Sequence, residues 1–296
     1  RAGRPAPRWP QRAQLMSVEA RLREAAARFS SVKALGRDPS ALAFDRMISP
    51  MVGVLEGREM LLFGTNNYLG TTMEAACVEA SIEATRRFGV GTTGSRIANG
   101  TYGGHRALER RIADFYGRRS AIVFSTGYLD NLGTHCALAG NDDQNQIAAA
   151  SHASIYDACR MSGSEIIRFR HNSARDLERK LKRLEGRGGL KLGVVEGIYS
   201  MLGDTAPLDE IAEVKRKAGP DVCLVVDEAH SLGVLGPTGR GQAEAQGVEA
   251  DCDVIVGTFS KSLGTIGGFC VSDIPGFDTV RALYRRYMFT ASGSPG

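Results

Sequence analysis

The stretch Gly257-Thr258-Phe259-Ser260-Lys261-Ser262-Leu263-Gly264-Thr265-Ile266-Gly267-Gly268 decides how the chain is read, because it sets a lysine between two serines and then among glycines. The apolar runs Val254-Ile255-Val256 and Phe269-Cys270-Val271 flank it, so the stretch is a loop joining two buried strands. An ordinary lysine, with a pKa of about 10.4, is almost fully protonated at neutral pH. It becomes a useful nucleophile when its surroundings shift that equilibrium or when it condenses with a carbonyl. The hydroxyls of Thr258, Ser260 and Ser262, beside glycines that allow close approach, suit a phosphate-bearing cofactor aldehyde. The plainer reading is an exposed loop lysine, and its flanks argue against that.

Moving outward, Val222-Cys223-Leu224-Val225-Val226 reads as a fully buried parallel strand that ends in Asp227-Glu228-Ala229-His230-Ser231. Open α/β sheets place their ligands at such carboxyl ends. An aspartate there, if ionised, keeps the pyridine nitrogen of pyridoxal phosphate protonated and makes the ring an electron sink. The competing use of Asp227 is a helix N-cap. A second site of the same kind follows the strand Ala121-Ile122-Val123-Phe124, where Ser125-Thr126-Gly127-Tyr128 opens a helix. The free N–H groups of a helix start favour a phosphate, so Gly127 and Tyr128 are candidates for holding it, against a capping turn with a packing tyrosine. Ser200, just past the strand Leu192-Gly193-Val194-Val195-Glu196, is within the same logic, as cofactor ligand or as turn serine.

Taken with Thr65-Asn66-Asn67-Tyr68-Leu69-Gly70, Gly94-Ser95-Arg96, Ser151-His152-Ala153-Ser154 and Glu196-Gly197-Ile198-Tyr199-Ser200-Met201-Leu202-Gly203-Asp204, these motifs make the chain resemble the α-oxoamine synthases. These are fold-type I, pyridoxal-phosphate-dependent transferases of the aspartate-aminotransferase-like class. The likeness covers roughly residues 40 to 292 and is strongest to the soluble bacterial branch that condenses L-serine with palmitoyl-CoA. It implies an α/β fold with a mostly parallel seven-stranded sheet flanked by helices. It also implies a cofactor-bearing lysine at Lys261 and a ring partner at Asp227. His152 would stack on the ring, His230 would lie beside the ring hydroxyl oxygen, and Asn67 would lie near the substrate. Thr290 would reach the phosphate of a neighbouring subunit in a homodimer. The implied reaction is a decarboxylative condensation giving 3-ketodihydrosphingosine, CoA and carbon dioxide, the first step of sphingolipid synthesis. Alternatives within the resemblance are an 8-amino-7-oxononanoate synthase-like, glycine C-acetyltransferase-like or carrier-protein-linked enzyme, or a subunit without turnover. The family's small C-terminal domain, which bears the carboxylate-clamping arginine, is expected to be absent from this chain.

Bulk properties agree with an ordinary globular enzyme: 296 residues, 43% hydrophobic and 24% charged. The formal net charge of +4 is mild, and Arg1, Arg4, Arg8 and Arg12 supply much of it, so nothing calls for nucleic acid. Six cysteines without CxxC or metal-ligand spacing read as free thiols in a reducing, cytoplasmic setting. No apolar run is long enough to cross a bilayer. Two domains are expected: an N-terminal extension and arm over 1–58, and a large catalytic domain over 59–296. The first of these begins with a disordered stretch, Arg1 to Gln14, followed by a helix with Leu22, Ala25, Ala26 and Phe29 on one face and a connection through Gly36 and Pro39.

Two glycine patterns mislead. Gly89-Val90-Gly91-Thr92-Thr93-Gly94 spells a dinucleotide fingerprint but follows a helix instead of a strand, and no glycine precedes Lys261 at the place a Walker loop requires. Two further expectations concern packing. A helix starting at His105 and closed by Gly117 turns Leu108, Ile112 and Phe115 inward. The polar run Asn145-Gln146-Ile147-Ala148-Ala149-Ala150, where relatives are apolar, predicts a weak strand and a loosely placed His152.

Overall fold

In the computed structural model, residues 17–34 and 42–296 are described. The stretch 1–14 and the connection through Gly36 and Pro39 lie outside the described residues. Contacts divide the chain into two units, Arg1–Leu62 and Phe63–Gly296. In the first, helix α1 (Val18–Lys33) carries Leu22, Ala25, Ala26 and Phe29 exposed, and three short strands, β1 (Arg46–Ser49), β2 (Val52–Leu55) and β3 (Arg58–Leu61), form an antiparallel meander.

The second unit begins with two helices, α2 (Ala75–Phe88) and α3 (Gly103–Tyr116), and then alternates strand and helix. The succession is β4 (Ser120–Phe124), α4 (Gly127–Leu138), β5 (Gln144–Ala148), α5 (Ala153–Ser162), β6 (Glu165–Phe169), α6 (Ala174–Lys182), β7 (Lys191–Glu196), α7 (Leu208–Ala218), β8 (Val222–Asp227), a short α8 (Gln242–Ala245), β9 (Val254–Thr258) and β10 (Gly268–Ser272). Two short helices, α9 (Val280–Leu283) and α10 (Arg285–Met288), follow. The seven strands order as β4-β10-β9-β8-β7-β5-β6; β10 is antiparallel to both neighbours and the other pairings are parallel. The mostly parallel seven-stranded α/β sheet read from the sequence is therefore present.

The side-chain period of a strand explains why the central strands are apolar throughout. In β8, Val222, Leu224 and Val226 enter the cluster that contains Ile112 of α3, Leu177 of α6 and Ile211 of α7, whereas Cys223 and Val225 enter the one with Leu132 of α4 and Ile155 of α5. With a core on each face, no strand position is left for a polar residue to reach water.

Two packing expectations need correction. Helix α3 does end at Gly117, in the left-handed region at φ 61°, but Leu108 and Phe115 are exposed, and the buried face is His105, Glu109, Ile112, Ala113 and Tyr116. The cause is Glu109. One oxygen accepts from Arg96 Nη2 at 2.9 Å, Arg281 Nη1 at 2.6 Å and the Val123 amide at 3.2 Å, and these bonds turn the helix toward the charge. Strand β5 is also not weak: all five residues are buried, and it pairs in parallel with β6 on one side and β7 on the other. Ladder hydrogen bonds on both edges hold a backbone whose side chains, Gln144, Asn145 and Gln146, have poor strand chemistry. Asn145 donates to Ser164, and Gln144 donates to the Asp142 carbonyl at 2.8 Å.

Candidate active site

Six of the seven strands point the same way, and their carboxyl ends carry the polar residues. Lys261 follows β9, Asp227 closes β8, Glu196 closes β7, His152 caps α5 after β5, and Gly127 opens α4 after β4. They surround one cavity of about 290 Å³, whose wall includes Gly127, Tyr128, His152, Asp227, His230, Thr258, Ser260 and Lys261. The two residues on which the sequence reading turned, far apart along the chain, share this space.

Each group is held by its neighbours. Asp227 is buried; Oδ2 accepts from Asn131 Nδ2 at 2.8 Å and Oδ1 from the Ala229 amide at 2.9 Å, and among the described residues no cationic side chain forms an ion pair with it. His152 is not loosely placed: its backbone N–H donates to Glu196 Oε1 at 2.5 Å, and Nδ1 lies 2.7 Å from Ser154 Oγ. At the start of α4, Thr126 caps the helix by accepting from the Leu129 amide, which leaves the first-turn N–H groups of Gly127 and Tyr128 as anion donors. Thr258 Oγ1 and Ser260 Oγ lie 2.8 Å apart on the facing loop. The approach is close because Gly127 has no side chain: a Cβ there would stand 2.9 Å from Thr258 Oγ1.

Burial pulls Lys261 below the usual lysine range, and the negative charges of Asp227 and Glu196 partly oppose it. Glu196 is pushed up to about 8, first by burial and then by Asp227. His230 is lowered to about 4 by burial and by the positive charge of Lys261, and is neutral. Its Nδ1 lies 2.6 Å from the Tyr68 hydroxyl, whose own pKa burial raises and which also lies 3.3 Å from Asn66 Oδ1. Asp130, wholly buried beside the cavity, is raised well above the carboxylate range by burial and then by Asp227.

Three candidates do not reach the cavity wall. Asn67 is buried and donates to Thr72 Oγ1 at 2.8 Å. Ser200 is exposed and its amide bonds to Glu196. Thr290 lines a separate small recess with Arg96, Phe124 and Tyr287. Conversely, Tyr68, Asn131, Ser154 and Glu196 were not singled out. Glu196 carried the same signal as Asp227, an acid at the carboxyl end of a buried strand; Asn131 lies one helical turn past Tyr128 on the helix already assigned to the site.

The sheet order, with a lysine loop after β9 opposite an aspartate at the end of β8, defines the aspartate-aminotransferase-like fold of type I. Residues 58–296 match the family "Aminotransferase class I and II", and the chain belongs to it. It is 55% identical over 267 residues to a serine palmitoyltransferase of Caulobacter vibrioides (strain NA1000 / CB15N), covering 90% of this chain and 66% of the relative. It is 51% identical over 258 residues to a serine palmitoyltransferase of Sphingomonas paucimobilis, covering 87% and 61%. A solved structure of SPT with PLP internal aldimine superposes with a TM-score of 0.90 at 47% identity, over 94% of this chain and 70% of that one. The chain thus spans somewhat under two thirds of the length of the curated relatives it matches.

Proposed function

We propose that the protein is a pyridoxal-phosphate-dependent acyltransferase that condenses L-serine with a long-chain acyl-CoA, palmitoyl-CoA, with loss of carbon dioxide and CoA, giving 3-ketodihydrosphingosine. The observation that carries this reading is the single cavity bearing Lys261, Asp227 and His152 at the carboxyl ends of parallel strands. The relatives' activity supports the choice of substrates. The cavity's donor set fits the cofactor. Helix N–H groups and the hydroxyls of Thr258 and Ser260 match a phosphate, an amine of lowered pKa matches an aldehyde, and a buried carboxylate with no ion-paired cation among the described residues matches a protonated pyridine nitrogen.

When bound, pyridoxal phosphate supplies a carbonyl for amine capture and a ring that delocalises a carbanion. Lys261 Nζ would hold the cofactor, and its amine would take the Cα proton of the amino acid as general base. Asp227 would keep the ring nitrogen protonated, with Asn131 and the Ala229 amide orienting its carboxylate. Gly127, Tyr128, Thr258 and Ser260 would hold the phosphate, and Ser200, on the exposed turn after β7, is proposed as a further bond to cofactor oxygens. His152 would lie against the ring face and orient the amino acid, and His230 would partner the ring hydroxyl oxygen. Asn67 contacts the substrate, and Thr290 serves the phosphate of a second copy in a homodimer. The N-terminal extension, 1–58, precedes a catalytic body, 59–296, and the enzyme works in the cytoplasm. Among the described residues no helix is long and apolar enough to cross a membrane.

The test is to load the protein with pyridoxal phosphate, titrate L-serine, glycine, alanine and threonine against the cofactor spectrum, and measure carbon dioxide release on adding palmitoyl-CoA. A response to serine with palmitoyl-CoA-dependent release is expected. A response to glycine or alanine and none to serine would assign a different α-oxoamine synthase, and no turnover at all would leave a subunit without activity.

A further inference from the structure

Two cavity residues that no motif pairs, Asp227 and His152, are joined by an unbroken chain of hydrogen bonds, buried as far as Ser154 and part-buried at His152. Asn131 Nδ2 lies 2.8 Å from Asp227 Oδ2 and 3.1 Å from Ser154 Oγ, and Ser154 Oγ lies 2.7 Å from His152 Nδ1. Asn131 and Ser154 are 4% and 1% exposed, so water does not substitute for these partners.

The protons in this chain are fixed by elementary accounting. The Ser154 backbone N–H lies 3.2 Å from His152 Nδ1, and a backbone N–H can only donate. Nδ1 is therefore an acceptor, and the neutral ring carries its proton on Nε2. The Ser154 hydroxyl must then also donate to Nδ1, since two acceptors at 2.7 Å would repel. Its lone pair is left to accept from Asn131. The Asn131 amide cannot be reversed, because an acceptor oxygen would then face the acceptor-only Asp227 carboxylate. Both Nδ2 hydrogens are thus in use, one toward Asp227 and one toward Ser154, while Oδ1 has no hydrogen-bond partner among the described residues. The Glu196 carboxyl fixes the same residue from behind through the His152 amide.

We infer that Asn131 and Ser154 are positioning residues that lock His152 as its Nε2–H tautomer and tie its orientation to Asp227, so that His152 offers the cavity a hydrogen-bond donor and no base. The inference rests on the proposed function only in what the donor serves. A carboxylate is the class of group that such an N–H recognises beside an amine-binding lysine, and proton removal is left to Lys261.

The test is nitrogen-15 NMR of ring-labelled histidine in the cofactor-free protein, which has five histidines. His152 is assigned by the signal lost in His152→Gln. A pyridine-type Nδ1 and a pyrrole-type Nε2 are expected near neutral pH. Ser154→Ala removes one of the two donors to Nδ1, and the minor Nδ1–H tautomer should rise about 5-fold, the equivalent of one hydrogen bond worth roughly 1 kcal/mol. Ser154→Thr, which keeps the hydroxyl, should restore the original signal, and Asn131→Ala should move it in the same direction as Ser154→Ala. A pyrrole-type Nδ1 in the unsubstituted protein, or an unchanged His152 signal in both Ser154→Ala and Asn131→Ala, would overturn the inference. Because this readout needs neither cofactor nor substrate, failure of the proposed condensation would appear separately, as absent cofactor capture or carbon dioxide release.

Discussion

Substituting Gly268 with alanine places the sharpest demand on the phosphate end of the cavity. A Cβ at Gly268 would stand 2.6 Å from Gly127 Cα and 2.7 Å from both Gly127 N and Thr126 O. All three are backbone atoms of the first turn of α4, and ordinary contact begins at 3.4 Å, so the helix start and β10 must separate by about 0.8 Å. Overpacking of this kind costs roughly 1–3 kcal/mol of stability. It also moves the Gly127 and Tyr128 N–H groups away from the place where Thr258 and Ser260 meet them. Losing one hydrogen bond to a charged oxygen, roughly 1.5–3 kcal/mol, predicts pyridoxal phosphate bound about 10- to 100-fold more weakly. Equilibrium titration of the cofactor, with thermal unfolding in parallel, measures both effects. Gly127→Ala is the internal control: its new Cβ meets Thr258 Cβ and Oγ1 at 2.9 Å, about 0.5 Å short of ordinary contact instead of about 0.8 Å, so its loss of affinity should be smaller. Unchanged affinity in Gly268→Ala, or a larger loss in Gly127→Ala, would refute the reasoning.

Other outcomes follow from the buried charges. Glu109→Ala strands Arg96, with a side chain 5% exposed, beside Arg281, and should cost about 3–5 kcal/mol in denaturant unfolding. Lys261 should capture aldehydes with a pH midpoint below that of an ordinary lysine, and Asp227→Asn, which removes the larger of the charges that raise the Lys261 pKa, should lower that midpoint further. Glu228, raised from 4.5 to about 7 mainly by burial, binds its proton longer folded than unfolded. Its contribution is full below pH 4.5 and is lost as pH climbs through 7, so Glu228→Gln should flatten the fall in stability across that window.

The parts of this site that could be read from the chain are those where a chemical group ends a strongly patterned element. Val222 to Val226 announces a buried parallel strand, so the acid after it lies at a ligand edge, and the same holds for Lys261 after Val254 to Val256. Glu196 obeyed this rule as fully as Asp227. The motif that Glu196 begins runs on to Ser200, which offers a hydroxyl to the same ligand edge but which the fold keeps on an exposed turn. Periodicity failed where charge overrode it: Glu109 rotates α3 against its apolar stripe because Arg96 and Arg281 wait inside. It failed again at β5, where two flanking strands stabilise a polar sequence that has little tendency to form a strand alone. Partners such as Asn131 and Ser154 act through distances between separate elements, which local spacing does not encode.

The central claim is that Lys261, opposite Asp227, is the amine that carries the cofactor. Loading the protein with pyridoxal phosphate, reducing it with borohydride and mapping the modified peptide by mass spectrometry tests this directly. The account predicts the pyridoxyl group on Lys261 and its loss in Lys261→Ala with the fold retained. Modification of a different lysine in the unsubstituted protein, or a stably folded Lys261→Ala that is labelled to the same extent, would contradict it.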